Sequence, residues 1–221
     1  MTLPRDEVVK GFNDEMAAFA TLARSLDEAG WRAPTRCVGW STGDLVGHVA
    51  ATLTAVGSGE FDGLGTPEVT ERHVAERRAR SAGEVIAELT EASALAATLL
   101  DAFDEDAWSG PAPAGVATTV GAGVEALWYD AYLHGDDIRA AVGRPSVGGD
   151  GLRAALSHIA DILTDQGWGP AVLDLDGQDR FVVGSGQGRE VTGDPLTFVL
   201  AATGRTDPAP LGLDETVNIY R

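Results

Sequence analysis

Between residues 8 and 26 the apolar side chains Val8, Phe12, Met16, Phe19, Ala23 and Leu26 return every three or four positions, the stripe of a helix that buries one face. Gly30 marks its stop. Ser41 or Thr42, with Asp44 in the first turn, predicts a second helix through Leu45, Val49 and Leu53 toward Gly57, because a side-chain oxygen and an early acid satisfy the free amides of a helix start. That helix carries His48. Glycines at 57, 59, 63 and 65 then break the period and predict a loop as far as Pro67. The polar residues 68–80 are a candidate helical lead-in to a third helix. Its start is signalled by Ser81 and Glu84 at capping-box spacing, and its face by Val85, Ile86, Leu89, Leu99, Leu100 and Phe103. After Pro111, Pro113 and Gly115, a fourth helix is expected from Val116 or Gly121 to Val142, closed by Gly143 and Pro145. Asp130 and His134 lie on it. A fifth apolar stripe, Leu152, Leu156, Ile159 and Leu163, ends at Gly167 and is assigned to the same bundle.

The period changes after Gly167. Residues 171–175 and 180–183 are short β-prone runs on either side of Asp176, Gly177 and Gln178, which reads as a hairpin. Residues 190–192 are a candidate third strand, and Asp194 before Pro195 starts a last helix that stops at Gly204. The expected fold is mainly α: a helical bundle over residues 1–167 followed by a small α+β domain over residues 168–221.

Composition narrows the function classes. The 221 residues carry 34 acidic and 16 basic side chains, a net charge of -18, which repels phosphate backbones and anionic lipid surfaces. Neither nucleic acid nor membrane is expected as a partner, and a mean hydropathy of -0.02 agrees. Asp6, Glu7 and Lys10 stand where a signal peptide needs an apolar run, so the expected location is cytoplasmic. With a single cysteine, Cys37, neither an internal disulfide nor a thiolate cage is available. Any metal must therefore be held by histidines and carboxylates.

Asp130 and His134 stand four apart on one predicted helix, so both side chains share a face and reach one ion. His48, on another helix, meets that pair if the two helices face each other across the core. Two imidazoles and a carboxylate leave open coordination positions and suit zinc, nickel, cobalt or iron(II). The competing reading is a surface carboxylate paired with one histidine, with His48 a core residue. His73 lies among Glu71, Arg72, Glu76, Arg77 and Arg78 and is assigned to a solvated face; His158 is kept as a reserve ligand. The string Gly39-Trp40-Ser41-Thr42-Gly43 matches a nucleophile elbow but lacks the preceding strand, so Ser41 is assigned to helix capping. Cys37, near Arg32 and Arg36, has no sequence neighbour that could act as a general base and is assigned to packing. Gly184, Gly186 and Gly188 fit no phosphate-binding string and read as a flexible turn.

The stretch from Trp31 through Pro34, Cys37, Gly39, Trp40, Ser41, Asp44 and Leu45 to His48 resembles the opening motif of the mycothiol-dependent maleylpyruvate isomerase family. Asp130-Ala-Tyr-Leu-His134-Gly135-Asp136-Asp137-Ile138-Arg139, ending at Gly143 and Pro145, is similar to that family's second metal motif. Val191, Gly193, Asp194, Pro195 and Leu196, with Gly204 and Arg205, resemble its small second domain. The resemblance covers nearly the whole chain. It implies a DinB-like up-and-down four-helix bundle, a divalent metal on His48, Asp130 and His134 with zinc placed first, and mycothiol or a similar low-molecular-weight thiol as cosubstrate. It further implies an isomerase or S-transferase in which a metal-bound thiolate attacks a small electrophilic substrate, as a monomer or homodimer. One position departs: the best-known member of the family has Glu where this chain has Asp130, one methylene shorter, which shifts a metal toward the fourth helix or interposes a water. Arg205 is the candidate for binding a thiol or substrate carboxylate bidentately, against the alternative of an exposed structural arginine. Asp136, Asp137 and Arg139 are expected to orient ligands or pack the bundle. The rival functions are a hydrolase using metal-bound water and a non-catalytic small-molecule-binding bundle protein.

Overall fold

The computed structural model describes residues 3–113 and 117–221. The chain divides into two compact units, Pro4–Val147 and Gly148–Arg221, the latter together with Leu3. The first is a helical bundle and the second a small α+β unit, which is the mainly α fold class expected.

Four long helices make the bundle: α1 (Arg5–Arg24), α3 (Thr42–Ser58), α5 (Ala82–Ala102) and α7 (Val120–Ala141). Helix α1 packs on α7 and α5, and α3 packs on α5 and α7, which closes a four-membered ring around one core. The expected stripe of α1 is the face that is buried: Val8, Phe12, Met16, Phe19 and Ala23. The bundle core also holds Leu45, Leu53, Leu89, Trp128, Tyr132 and Leu133, each almost fully enclosed. Gly11 is required by that packing, because a Cβ there would sit 2.2 Å from the buried Trp128 ring. Both capping boxes form, Ser41 with Asp44 and Ser81 with Glu84, so Ser41 is committed to the start of α3. The polar segment ahead of α5 is indeed helical, as α4 (Pro67–Arg78), and packs on α3. Two short helices gave no periodic signal: α2 (Glu28–Trp31) and α6 (Glu105–Ser109). Gly115 and Val116, where an interruption and one possible start of the fourth helix were expected, lie outside the described residues.

Glu88 ties three elements together. Its carboxylate accepts from Arg77 Nε at 3.1 Å and from Thr54 Oγ1 at 3.0 Å, and also from Arg77 Nη2 and Arg80 Nη1. Burial pushes its carboxyl up, but these donors and the Arg77 charge prevail and hold it below the ordinary 4.5. A carboxyl depressed on folding contributes stability above its unfolded value and loses it as pH falls through the folded value. Glu88→Gln should therefore lower urea-unfolding stability by roughly 1.5–3 kcal/mol at neutral pH. The gap to wild type should close once the pH falls below the folded value. A gap that is the same at both ends of the pH range would refute the assignment.

In the second unit the boundary differs from the expected 167/168. Helix α8 (Asp150–Asp165) packs on α9 (Pro195–Ala202) and on strand β2 (Phe181–Val183). Its stripe Leu152, Leu156, Ile159 and Leu163 is buried, and the core of this unit includes Phe198, Val199 and Leu173. Periodicity shows that such a face must be covered but not by what, so the helix was assigned to the wrong neighbour. Strand β1 (Ala171–Leu175) pairs antiparallel with β2, as the turn residues predicted, and parallel with β3 (Arg189–Gly193), giving the order β2-β1-β3. Asp194 accepts from Thr197 N at 2.7 Å and Pro195 fills the first turn of α9. Among the described residues no helix is long and apolar enough to cross a membrane.

Candidate functional site

Local chemistry positions each member of the cluster. The loop before α3 is closed by Thr35 N to Trp40 O at 3.1 Å and by Trp40 N to Cys37 O at 2.9 Å, with Gly39 at φ 86° turning the chain. This small closed loop, capped onto α3 by Ser41, presents Arg36, Cys37 and Trp40. His48 follows two turns into α3, and Asp130, His134, Asp136 and Asp137 come from α7.

His48 Nε2 lies 3.3 Å from Asp130 Oδ2, and His134 Nε2 lies 3.4 Å from Asp130 Oδ1. The two imidazoles meet edge to face at 5.1 Å between centroids. One ligand atom from each of the three residues falls within 4.8 Å of the others. In a tetrahedral site with metal–nitrogen and metal–oxygen bonds of about 2.0–2.1 Å, neighbouring ligand atoms sit about 3.3–3.4 Å apart, and each imidazole nitrogen stands at that spacing from one oxygen of Asp130. The shorter Asp130 side chain thus still reaches both imidazoles. His134 is buried and Asp130 and His48 are partly so, which limits competition from bulk water.

The hydrogen bonds around the trio leave it in want of a positive charge. His134 Nδ1 is 3.2 Å from Asp137 Oδ2. With Nδ1–H donated to that carboxylate, the Nε2 lone pair is turned toward Asp130, another acceptor. Such an arrangement is satisfied by a cation between the groups or by a second proton on the ring. Accordingly burial, which disfavours the imidazolium, is overcome by Asp130 and Asp137, and the His134 imidazole titrates well above 6.5. For Asp130 burial is likewise overcome, by His134 and His48, and its carboxyl is held well below 3.8. His48 Nδ1 is buried with no hydrogen-bond partner among the described residues, and its ring is covered by Trp40 at 5.4 Å between centroids. Trp40 Nε1 in turn donates to Glu71 on α4 at 3.1 Å. The donor set fits a divalent metal.

Behind His134 is a charged layer in which Asp136 and Asp137, expected from the sequence to orient ligands or pack the bundle, are joined by Arg36, which the sequence did not place there. Asp136 and Asp137 are fully buried, and Arg36 forks across both: Nη2 to Asp136 Oδ2 at 2.5 Å and Nε to Asp137 Oδ1 at 2.8 Å. Arg36 thereby fixes the carboxylate that orients His134, in the arrangement by which outer partners set ligand tautomer and direction. Cys37, assigned above to packing, lies with Sγ 3.6 Å from Asp137 Oδ2. The spacing of three from His134 to Asp137 was the one available sequence signal for this layer; the hundred-residue separation from Arg36 carried none. His73 stands on α4 outside this cluster, and its Arg77 neighbour is engaged by Glu88. His158 lies on α8 and Arg205 just beyond α9, both in the second unit. Arg205 Nη1 donates to Thr203 O at 3.3 Å.

Comparison with known proteins adds the following. Residues 12–139 match the family model described as the mycothiol maleylpyruvate isomerase N-terminal domain. A crystal structure of the mycothiol-dependent maleylpyruvate isomerase superposes with a TM-score of 0.67 at 21% identity, over 92% of this chain and 90% of that one. A histidine-to-alanine mutant of that isomerase gives a TM-score of 0.67 at 20% identity, with 92% and 90% covered. At this level of identity the likeness establishes the fold. No curated protein matches the chain.

Proposed function

The chain belongs to the mycothiol maleylpyruvate isomerase N-terminal domain family, and from that premise we propose that it is a thiol-dependent metal enzyme, an isomerase or S-transferase acting on a small electrophile. The observation that carries the reading is the convergence of His48, Asp130 and His134 at ligand spacing. His48, Asp130 and His134 would hold a divalent ion, whose fixed positive charge would favour the thiolate of a bound thiol over the thiol. Asp137 holds the His134 ring in one orientation, Arg36 holds Asp137, and Trp40 shields His48 from water. The thiol sulfur adds to an electrophilic carbon of a conjugated double bond, whose π pair moves onto the conjugated carbonyl oxygen. In an isomerisation that pair returns and expels the sulfur after rotation about the resulting single bond; in a transfer the adduct takes up a proton and the sulfur stays. Arg205 is assigned to a carboxylate of the thiol or of the substrate, which its planar fork matches.

The test is cobalt substitution of the purified protein with and without mycothiol, alongside turnover of maleylpyruvate. A sulfur-to-cobalt charge-transfer band that appears on adding thiol, together with thiol-dependent turnover of that or a related electrophile, is expected. The band must survive in Cys37→Ser, so that the sulfur is the cosubstrate's. Stoichiometric metal with no thiol band would sink the thiol reading and favour hydrolysis by bound water, and failure to take up metal would leave a binding protein.

A further inference from the structure

His134 has two ring nitrogens, and the proposed metal set uses only Nε2. On the opposite edge, Nδ1 is 3.2 Å from Asp137 Oδ2, and Cys37 Sγ is 3.6 Å from the same oxygen. The three donor atoms fall within 4.8 Å of one another. A tetrahedral ion with bonds of about 2.3 Å to sulfur and about 2.0–2.1 Å to nitrogen and oxygen has sulfur–oxygen edges near 3.5 Å and nitrogen–oxygen edges near 3.3 Å. The nitrogen–oxygen and sulfur–oxygen separations agree with those edges. The donors are also held in place. Cys37 N donates to Thr35 Oγ1 at 3.2 Å within the closed loop, and Arg36 takes Asp137 Oδ1, which leaves Oδ2 turned to the cluster. Charge balances as well: a dication and the Arg36 guanidinium offset a Cys37 thiolate and the carboxylates of Asp136 and Asp137.

We propose that Cys37, His134 Nδ1 and Asp137 form an alternative site for a thiophilic metal ion, mutually exclusive with the set built on His134 Nε2. Exclusion follows from the ring. A neutral imidazole offers one lone pair at a time, so an ion at Nδ1 requires the proton on Nε2, where Asp130 Oδ1 at 3.4 Å stands ready to accept it. On binding, the thiol proton passes to solvent and the ring proton moves from Nδ1 to Nε2. The single thiolate selects soft or borderline dications such as cadmium over magnesium or calcium. Such an ion disables the first set by withdrawing His134 from it.

The inference shares His134 with the function proposed above, and its test is chosen to separate the two. The 221-residue chain, stripped with chelator, is titrated with cadmium and followed by ultraviolet sulfur-to-cadmium absorption. Because Cys37 is the sole cysteine, any protein-derived band reports this residue. The band is expected to saturate at one equivalent, to vanish in Cys37→Ser, to persist in His48→Ala, and to need at least tenfold more cadmium in His134→Gln. Preloading with zinc should delay it. Should His134→Gln fail to fold by circular dichroism, Asp137→Asn carries the same arm. No band in the wild type overturns the site, and so does a band of unchanged affinity in His134→Gln or Asp137→Asn, which would mean that the thiolate binds alone. Persistence of the band in His48→Ala, which lacks the first set, keeps a failure of either reading distinct from a failure of the other.

Discussion

His134→Ala is expected to take the metal content of the purified chain from near one ion to near none and to abolish thiol-dependent turnover, with the fold intact by circular dichroism. The size of the effect follows from the geometry. His134 supplies a ligand nitrogen to the set with Asp130, and its own second nitrogen anchors that set to Asp137. Loss of an outer partner such as Asp137 typically costs about 10–100-fold in metal affinity, and Asp137→Asn should fall in that range. Removing the ligand itself must exceed it. His48→Ala should match His134→Ala in metal loss with less disturbance of packing, because His48 Nδ1 has no partner among the described residues to leave behind. Metal analysis and equilibrium dialysis against zinc decide the matter. Full metal retention in His134→Ala, or in His48→Ala combined with Cys37→Ser, would dismantle the proposed site.

Arg36→Met should be the more damaging change for the fold itself. Asp136 and Asp137 are fully buried, and Arg36 is the cation that forks across both. Stripping one partner from a buried ion pair leaves an uncompensated charge and costs roughly 3–5 kcal/mol. Two carboxylates depend on this guanidinium, so the upper part of that range is expected in urea unfolding. Arg36→Lys should recover only part of the loss, because a single ammonium cannot reach two carboxylates in parallel as the planar fork does. Adding Asp136→Asn to Arg36→Met should restore about 0.5–3 kcal/mol relative to additivity, the coupling usual for directly bonded groups. A loss below about 1 kcal/mol in Arg36→Met would mean that these carboxylates are compensated in some other way.

How far the site could be read from the sequence depended on how local each link is. Asp130 and His134 are four apart on one helix, and His134 and Asp137 three apart, so helical geometry alone places each pair side by side. His48 was found by residue type and by the motif around it. That its ring comes to 5.1 Å from that of His134 depends on α3 packing against α7, which no spacing encodes. Arg36 and Cys37 lie in an irregular loop a hundred residues from their partners, and a loop without period offers nothing to project onto a helix face. Cys37 was accordingly assigned to packing, whereas it stands beside the inner edge of His134.

By itself the sequence determined the long helices of the bundle, the capped starts of α3, α5 and α9, the β1–β2 hairpin and the candidate ligand trio. All of these except His48 follow from side-chain periods and from hydrogen bonds that close within a few residues; His48 came from its residue type and from the family motif around it. Tertiary structure alone decided that α8 belongs with the C-terminal sheet, that β3 runs parallel to β1, and that Arg36 joins Asp136 and Asp137 behind His134. A buried face or a buried charge announces from sequence that it needs a partner; only the packed chain selects which one, since many apolar faces and many arginines meet the local requirement equally well.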